Sequence, residues 1–221
     1  MNDRGEVTAH PLADDFFARA RRRLTLEVPP ALTDPGAPGA RGDLDLNPAL
    51  WQRAGVAATK PAAVLVPIVA RSEPMVLLTQ RTAELASHAG QVAFPGGKID
   101  PEDASPVAAA LREAKEEIGL APVLVEPLGY LDLYLTFSGF RILPTVARVK
   151  PDFALTLNPW EVAETFEVPL GFLMTPQNHQ RKTRDWNGIE REYYAIPFEN
   201  RYIWGITAGI LRNLYERIYG G

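Results

Sequence analysis

Apolar residues along this chain follow two rhythms. From Ala62 to Ala70 (AAVLVPIVA) they run without a polar break, the pattern of a strand buried on both faces. Pro74–Gln80 (PMVLLTQ) resumes after Arg71-Ser72-Glu73, which predicts a hairpin. Gln91–Phe94, Leu128–Leu135, Ile142–Val149, Phe166–Val168 and Glu192–Pro197 predict further extended pieces, and Val168–Leu173 begins a turn of helix. Helical spacing is the second rhythm. Phe16, Phe17, Ala20 and Leu24 share one side of Ala13–Leu26. Val107, Leu111, Ala114 and Ile118 form a stripe that starts after Ser105-Pro106 and stops at Gly119, a cap, a first-turn proline and a C-terminal stop. Ile206, Ile210, Leu211, Leu214 and Ile218 mark an amphipathic helix in Trp204–Tyr219.

Pro29–Asp43 is rich in Pro and Gly and reads as a long surface loop. Residues 1–60 are therefore expected to be an N-terminal helix and loop packed on a single domain spanning 61–221. Strands and helices mix without strict alternation, which predicts an α/β (α+β) fold, a mixed sheet with helices on both faces.

Composition narrows the class. The 221 residues are 46% hydrophobic and 23% charged, an ordinary globular balance. Lys and Arg number 23 against 27 Asp and Glu, a formal charge of -4, so no global field draws the chain to nucleic acid or an anionic membrane. There is no cysteine, which excludes disulfides and thiolate metal sites. The N-terminus has no apolar signal segment, and Ala62–Ala70 is too short to span a bilayer. A soluble, cytoplasmic protein is expected.

One helix changes the picture. On the wheel that puts Val107, Leu111, Ala114 and Ile118 on the core face, Glu113, Glu116 and Glu117 cluster away from it. Like charges at this spacing repel, and a hard cation would offset that repulsion with oxygen ligands. An exposed acidic face offset by Arg112 and Lys115 is the plainer reading of the helix alone. The preceding Pro95-Gly96-Gly97 lets backbone approach a ligand closely, and no Gly-Lys-Ser/Thr ending makes it a P-loop.

These residues resemble the Nudix hydrolases, whose pattern is G-x5-E-x7-R-E-U-x-E-E-x-G-U with U aliphatic. Gly97 opens it, and Arg112 to Leu120 (REAKEEIGL) fits the second half. The first half carries one extra residue, and Asp103 stands where its glutamate is expected. Upstream, Leu77–Gly97 (LLTQRTAELASHAGQVAFPGG) is similar to the motif of the coenzyme A pyrophosphatases of that family, with Ala86 in place of its second arginine. Ser138–Pro144, Asn158–Leu170 and Arg201–Ala208 look like the same subfamily.

The resemblance implies a Nudix α/β/α sandwich around a mixed sheet. It also implies Mg²⁺- or Mn²⁺-dependent hydrolysis of the coenzyme A diphosphate, giving 4′-phosphopantetheine and adenosine 3′,5′-bisphosphate. Carried onto this chain, Glu113 and Glu117 lead as metal ligands, with Glu116 and the Gly97 carbonyl joining them. Glu116 is also a candidate base, with Glu164 and Glu161 competing, and Arg112 orients the carboxylates. Arg81, His88 and Arg141 are candidates for substrate binding, alongside Arg181, Lys182 and Arg184. For His88 a structural hydrogen bond is the plainer reading, and for Tyr202 and Trp204 core packing. The expected partner is a small molecule, coenzyme A or a derivative, with no nucleic acid and no membrane. Oligomeric state stays open, a homodimer among the options. Another nucleoside diphosphate derivative (NADH, ADP-ribose) and an inactive nucleotide sensor are the alternatives.

Overall fold

The computed structural model describes residues 15–34, 37–50, 60–84, 89–186 and 188–220. In chain order it begins with α1 (Phe16–Arg23), β1 (Ala40–Gly42), α2 (Asp43–Leu46), β2 (Lys60–Val69), β3 (Met75–Arg81), β4 (Val92–Ala93) and β5 (Gly96–Lys98). Next come α3 (Pro106–Ile118), β6 (Val125–Tyr130), β7 (Leu133–Leu135), β8 (Phe140–Val149), β9 (Val162–Pro169) and α4 (Leu170–Leu173). The chain closes with β10 (Gln180–Trp186), β11 (Ile189–Phe198), β12 (Arg201–Trp204) and α5 (Ile206–Tyr219).

Strand β2 organises the main sheet. It runs parallel to β8 and antiparallel to β3 and β5. Successive side chains of a strand point to opposite faces, and β2 divides accordingly. Ala62, Val66 and Ile68 join a core with Phe16 and Ala20 of α1 and with Ile210, Leu211 and Leu214 of α5. Ala63, Leu65 and Val69 join another with Ala109, Ala110, Ala114 and Ile118 of α3. The sheet thus lies between helices, an α/β/α sandwich, and the unbroken apolar run is what a strand covered on both sides requires. Leu65 is fully buried, worth roughly 1.5–3 kcal/mol by itself. Around β2 the strand order is β1-β7-β8-β2-β3-β4, with β5 on β2, β6 on β8 and β9 on β3. A second, antiparallel sheet holds β10-β11-β12.

Three expectations need correction. Leu128–Leu135 is not one strand: β6 ends at Tyr130 and β7 begins at Leu133, and β6 shifts register between Pro127 and Gly129. At Gly129 φ is 152°, and a Cβ there would lie 2.5 Å from Leu24 Cβ. Pro29–Asp43 is not simply a surface loop. Its 3₁₀ turn Pro30–Leu32 buries Ala31 and Leu32 against Leu133 and Leu143, and β1 joins β7 in parallel. Of the two aromatics expected to pack in the core, Tyr202 is exposed.

Candidate active site

Helix α3 starts and stops where the sequence predicts. Ser105 Oγ accepts the Ala108 N–H at 3.1 Å, and Gly119 ends the helix with φ 70°. A Cβ at Gly119 would lie 2.8 Å from Thr156 N, so only glycine lets the chain turn there. The helix closes on the sheet through Ala109, Ala110, Ala114 and Ile118. The three alanines bring it close and turn Glu117 inward. The three glutamates therefore do not share one solvent patch. Glu117 is 3% exposed, Glu113 is half-buried, and Glu116 is exposed.

Glycines complete the pocket around them. The Gly96 N–H donates to Glu117 Oε2 at 3.2 Å. A Cβ at Gly97 would lie 2.5 Å from Glu113 Oε1, so that carboxylate occupies space only glycine leaves. Burial pushes the Glu117 carboxyl up to about 7, against the Gly96 hydrogen bond; the charges of Glu161 and Glu113 push the same way, and Arg81 opposes them. Burial also raises the Glu113 carboxyl, against Arg112, with Glu116 and Glu161 adding to the rise. Carboxylates held in mutual repulsion favour neutral forms unless positive charge arrives.

Arg112 fastens the loop to the helix. Its Nε and Nη2 donate to Asp103 Oδ1 and Oδ2 at 3.0 and 2.9 Å, and its Nη1 donates to Glu113 Oε1 at 2.9 Å and Glu116 Oε2 at 3.1 Å. Its Nη2 also donates to the Lys98 carbonyl at 3.2 Å. Glu116 is thus tied to Arg112 on the outside of the helix.

A turn from the far side brings Glu161 in. The Asn158 N–H donates to the Glu117 carbonyl at 2.8 Å, and Asn158 Nδ2 donates to Glu161 Oε1 at 3.0 Å. Thr82 Oγ1 donates to the Trp160 carbonyl at 3.3 Å. Arg81 Nη1 stands 3.9 Å from Glu117 Oε1, and Arg81 Nε is buried without a hydrogen-bond partner.

Other predicted residues lie apart. Glu164 pairs with Arg201, whose Nη2 reaches Glu164 Oε2 at 2.8 Å, and this holds its carboxyl below the usual range. Arg141 is buried and donates to the main-chain carbonyls of Leu32 and Asp34 at 3.1 and 2.9 Å. Its strand neighbours Phe140 and Ile142 line the cavity beside Gly96 and Gly97, so alternation points Arg141 to the opposite face. It therefore braces the Pro30–Leu32 turn and does not reach a substrate there. Arg181 pairs with Glu192 in an exposed bridge. His88 and Ala86 lie outside the described residues.

That cavity, about 320 Å³, has Arg81, Gly96, Gly97 and Lys98 on one side. Val64, Phe94, Ile142 and Ile210 form apolar wall. Gln91, Ser138, Trp204 and Ile206 also line a neighbouring cavity of about 370 Å³ with Trp186, Tyr193 and Arg191. No motif in the sequence marks Trp186, Tyr193 or Arg191. The one signal is an arginine two residues before a pair of tyrosines, Arg191 to Tyr194, with Trp186 just upstream.

Among the described residues no three acidic or histidine side chains enclose an ion by themselves. The set nevertheless fits a hard divalent cation. Its donors are oxygens, Glu117 and Glu113 are destabilised as anions, and Gly97 leaves backbone and carboxylate in close approach. Substrate oxygens and water would complete such a shell.

A protein-family model described as NUDIX domain matches residues 59–186. The uncharacterised Nudix hydrolase NudL of Yersinia pestis (strain Pestoides F) is 41% identical over 162 residues, covering 73% of this chain and 81% of the relative. The same protein of Yersinia pseudotuberculosis serotype O:1b matches equally, at 41%. Among solved structures, an Ap4A hydrolase binary complex of C. elegans covers 50% of this chain and 80% of its own, at 21% identity and TM-score 0.43. A NUDIX hydrolase of Alicyclobacillus acidocaldarius covers 52% and 81%, at 22% identity and TM-score 0.41. No helix among the described residues is long and apolar enough to cross a membrane.

Proposed function

Since the chain belongs to the Nudix family and is a hydrolase of nucleoside diphosphate derivatives, we propose that its substrate is coenzyme A or a coenzyme A derivative. The products would be 4′-phosphopantetheine and adenosine 3′,5′-bisphosphate. The observation that carries this reading is the position of Arg81. It belongs to the Leu77–Gly97 stretch that resembles the coenzyme A pyrophosphatases, lies 3.9 Å from Glu117, and lines the cavity beside the glycines. A diphosphate at the carboxylates would meet this guanidinium, and the apolar wall would hold the arm attached to it.

Glu113 and Glu117, with the Gly97 carbonyl, would hold the divalent cation. Mg²⁺ or Mn²⁺ bound there would offset the diphosphate charge and acidify a water. Glu161 is the proposed base, because its charge is felt by both Glu113 and Glu117. The rivals, Glu116 and Glu164, are each held by an arginine. Glu161 would take the proton from the attacking water. Arg81 would pair with a phosphate oxygen, and Arg112 would fix Glu113 in position.

Incubation with Mg²⁺ and, in parallel, coenzyme A, NADH and ADP-ribose tests the assignment. Release of adenosine 3′,5′-bisphosphate from coenzyme A is expected. Turnover of only NADH or ADP-ribose would replace the substrate, and nucleotide binding without any turnover would replace the hydrolase by a sensor.

A further inference from the structure

The second sheet builds a flat-walled chamber beside the proposed site. Trp186 of β10 and Trp204 of β12 lie within 21° of parallel, with ring centroids 6.2 Å apart. Tyr193 of β11 stands edge-on to both, at 6.0 and 5.4 Å. With Phe137 these rings line the cavity of about 370 Å³. Arg191 reaches into it, its guanidinium carbon 4.4 Å from the Phe137 ring centroid and 5.9 Å from that of Trp186. The Arg191 Nε is buried and has no hydrogen-bond partner. A guanidinium held against ring faces keeps its in-plane donors for another group, and a buried donor without an acceptor is costly.

Two features identify the occupant's chemistry. Ring faces of this extent favour a planar π system, and stacking on aromatic side chains is how proteins commonly hold bases. A cation with an unused Nε donor favours an acceptor in the plane of that ring. An aliphatic arm has neither property; a nucleobase has both. Continuity supplies a third observation. Gln91, Ser138, Trp204 and Ile206 line this cavity and also the one bordered by Arg81, Gly96 and Gly97. A nucleotide with its diphosphate at the carboxylates can therefore extend along one shared wall.

We propose that the chamber of Phe137, Trp186, Tyr193, Arg191 and Trp204 receives the nucleobase of the substrate, stacked on an indole face with Arg191 donating to a ring acceptor. This rests on the reading of the chain as a hydrolase of nucleoside diphosphate derivatives. It assigns the aliphatic-walled cavity to the parts nearer the diphosphate.

Binding in EDTA tests the chamber without catalysis. AMP, ADP, adenosine 3′,5′-bisphosphate and 4′-phosphopantetheine are titrated by calorimetry into the full chain and into Arg191→Gln, Trp186→Ala and Trp186→Phe, each checked by circular dichroism. The adenine nucleotides should bind saturably, lose about tenfold affinity or more in Arg191→Gln and Trp186→Ala, and keep most of it in Trp186→Phe. Phosphopantetheine affinity should not change. Absent nucleotide binding, unchanged nucleotide affinity in folded Arg191→Gln, or a loss confined to phosphopantetheine would overturn the assignment. Should Trp186→Ala not fold, Arg191→Gln and Trp186→Phe decide. A chain that binds adenine nucleotides through Arg191 yet cleaves no diphosphate would sink the hydrolase reading and leave the chamber standing.

Discussion

Arg112 and Asp103 meet at two points, Nε to Oδ1 at 3.0 Å and Nη2 to Oδ2 at 2.9 Å. Asp103 is the residue that replaces the first glutamate of the Nudix pattern, one position further from its arginine than usual. The two-point pair shows how the longer loop is still anchored, because the same guanidinium holds Glu113. A lysine cannot reproduce a planar fork. Arg112→Lys should lower kcat more than it raises KM and reduce stability by roughly 1–3 kcal/mol. Denaturant melts and steady-state kinetics check this; an unchanged kcat would remove the positioning role.

The Glu117 carboxyl sets a pH dependence of the metal-free protein. Its folded value of about 7 lies above the ordinary 4.5. Between these two the folded state binds more protons than the unfolded chain, so stability falls as pH rises through that window. Urea melts in EDTA should show higher stability at about pH 5 than at about pH 8 from this group, a difference that Glu117→Gln reduces.

Divalent cation should reverse that loss. A ligand that binds only the folded state stabilises it in proportion to the logarithm of its concentration. Adding Mg²⁺ or Mn²⁺ at about pH 8 should raise the melting temperature of the wild type and leave Glu117→Gln unmoved. An equal rise in both proteins would locate the cation elsewhere.

Gly97→Ala should preserve the fold and damage the chemistry. Gly97 has no left-handed φ, so an alanine there costs little in backbone conformation, but its Cβ would press on the Glu113 carboxylate at 2.5 Å. Displacement of that size can lower kcat on the order of 10²-fold. A near-native melting temperature with depressed kcat is the expected pair of readings.

Arg141→Ala should do the opposite. Its guanidinium satisfies the Leu32 and Asp34 carbonyls, and losing charged hydrogen bonds costs roughly 1.5–3 kcal/mol. KM should stay within about twofold of wild type if the residue only braces the turn. A large rise in KM with unchanged stability would return Arg141 to the substrate.

Much of the frame was legible in the residue order. β2 announced itself by an apolar run because both faces are covered, and α3 by its cap and its glycine stop, both local signals. What escaped depends on distance. The wheel placed the three glutamates correctly relative to one another, but the rotation of α3 is set by alanines pressed on β2, which no single helix records. Arg141 resembles a substrate arginine until β8 alternation turns it away. β10 is a polar strand exposed along nearly its whole length, so it lacks the alternation that reveals half-buried strands. With it went the aromatic chamber, whose walls come together only through the register of β10, β11 and β12.

The pairing of β9 with β3 joins Gln80 to Glu164 and Arg81 to Val162 across about eighty residues. Helix α3 and the β2–β3 hairpin close through near neighbours, whereas this ladder needs a long loop to be shut first, and such contacts are slow to form. Glu161 sits immediately before β9. During refolding the chain would hold Glu113 and Glu117 on a formed helix while Glu161, the proposed base, is still at large. Competence for hydrolysis should therefore appear late, as β9 docks, rather than with the helix that carries most of the signature. Pulsed hydrogen exchange would show α3 amides protected before those of β9, and hydrolytic activity arriving with the second group.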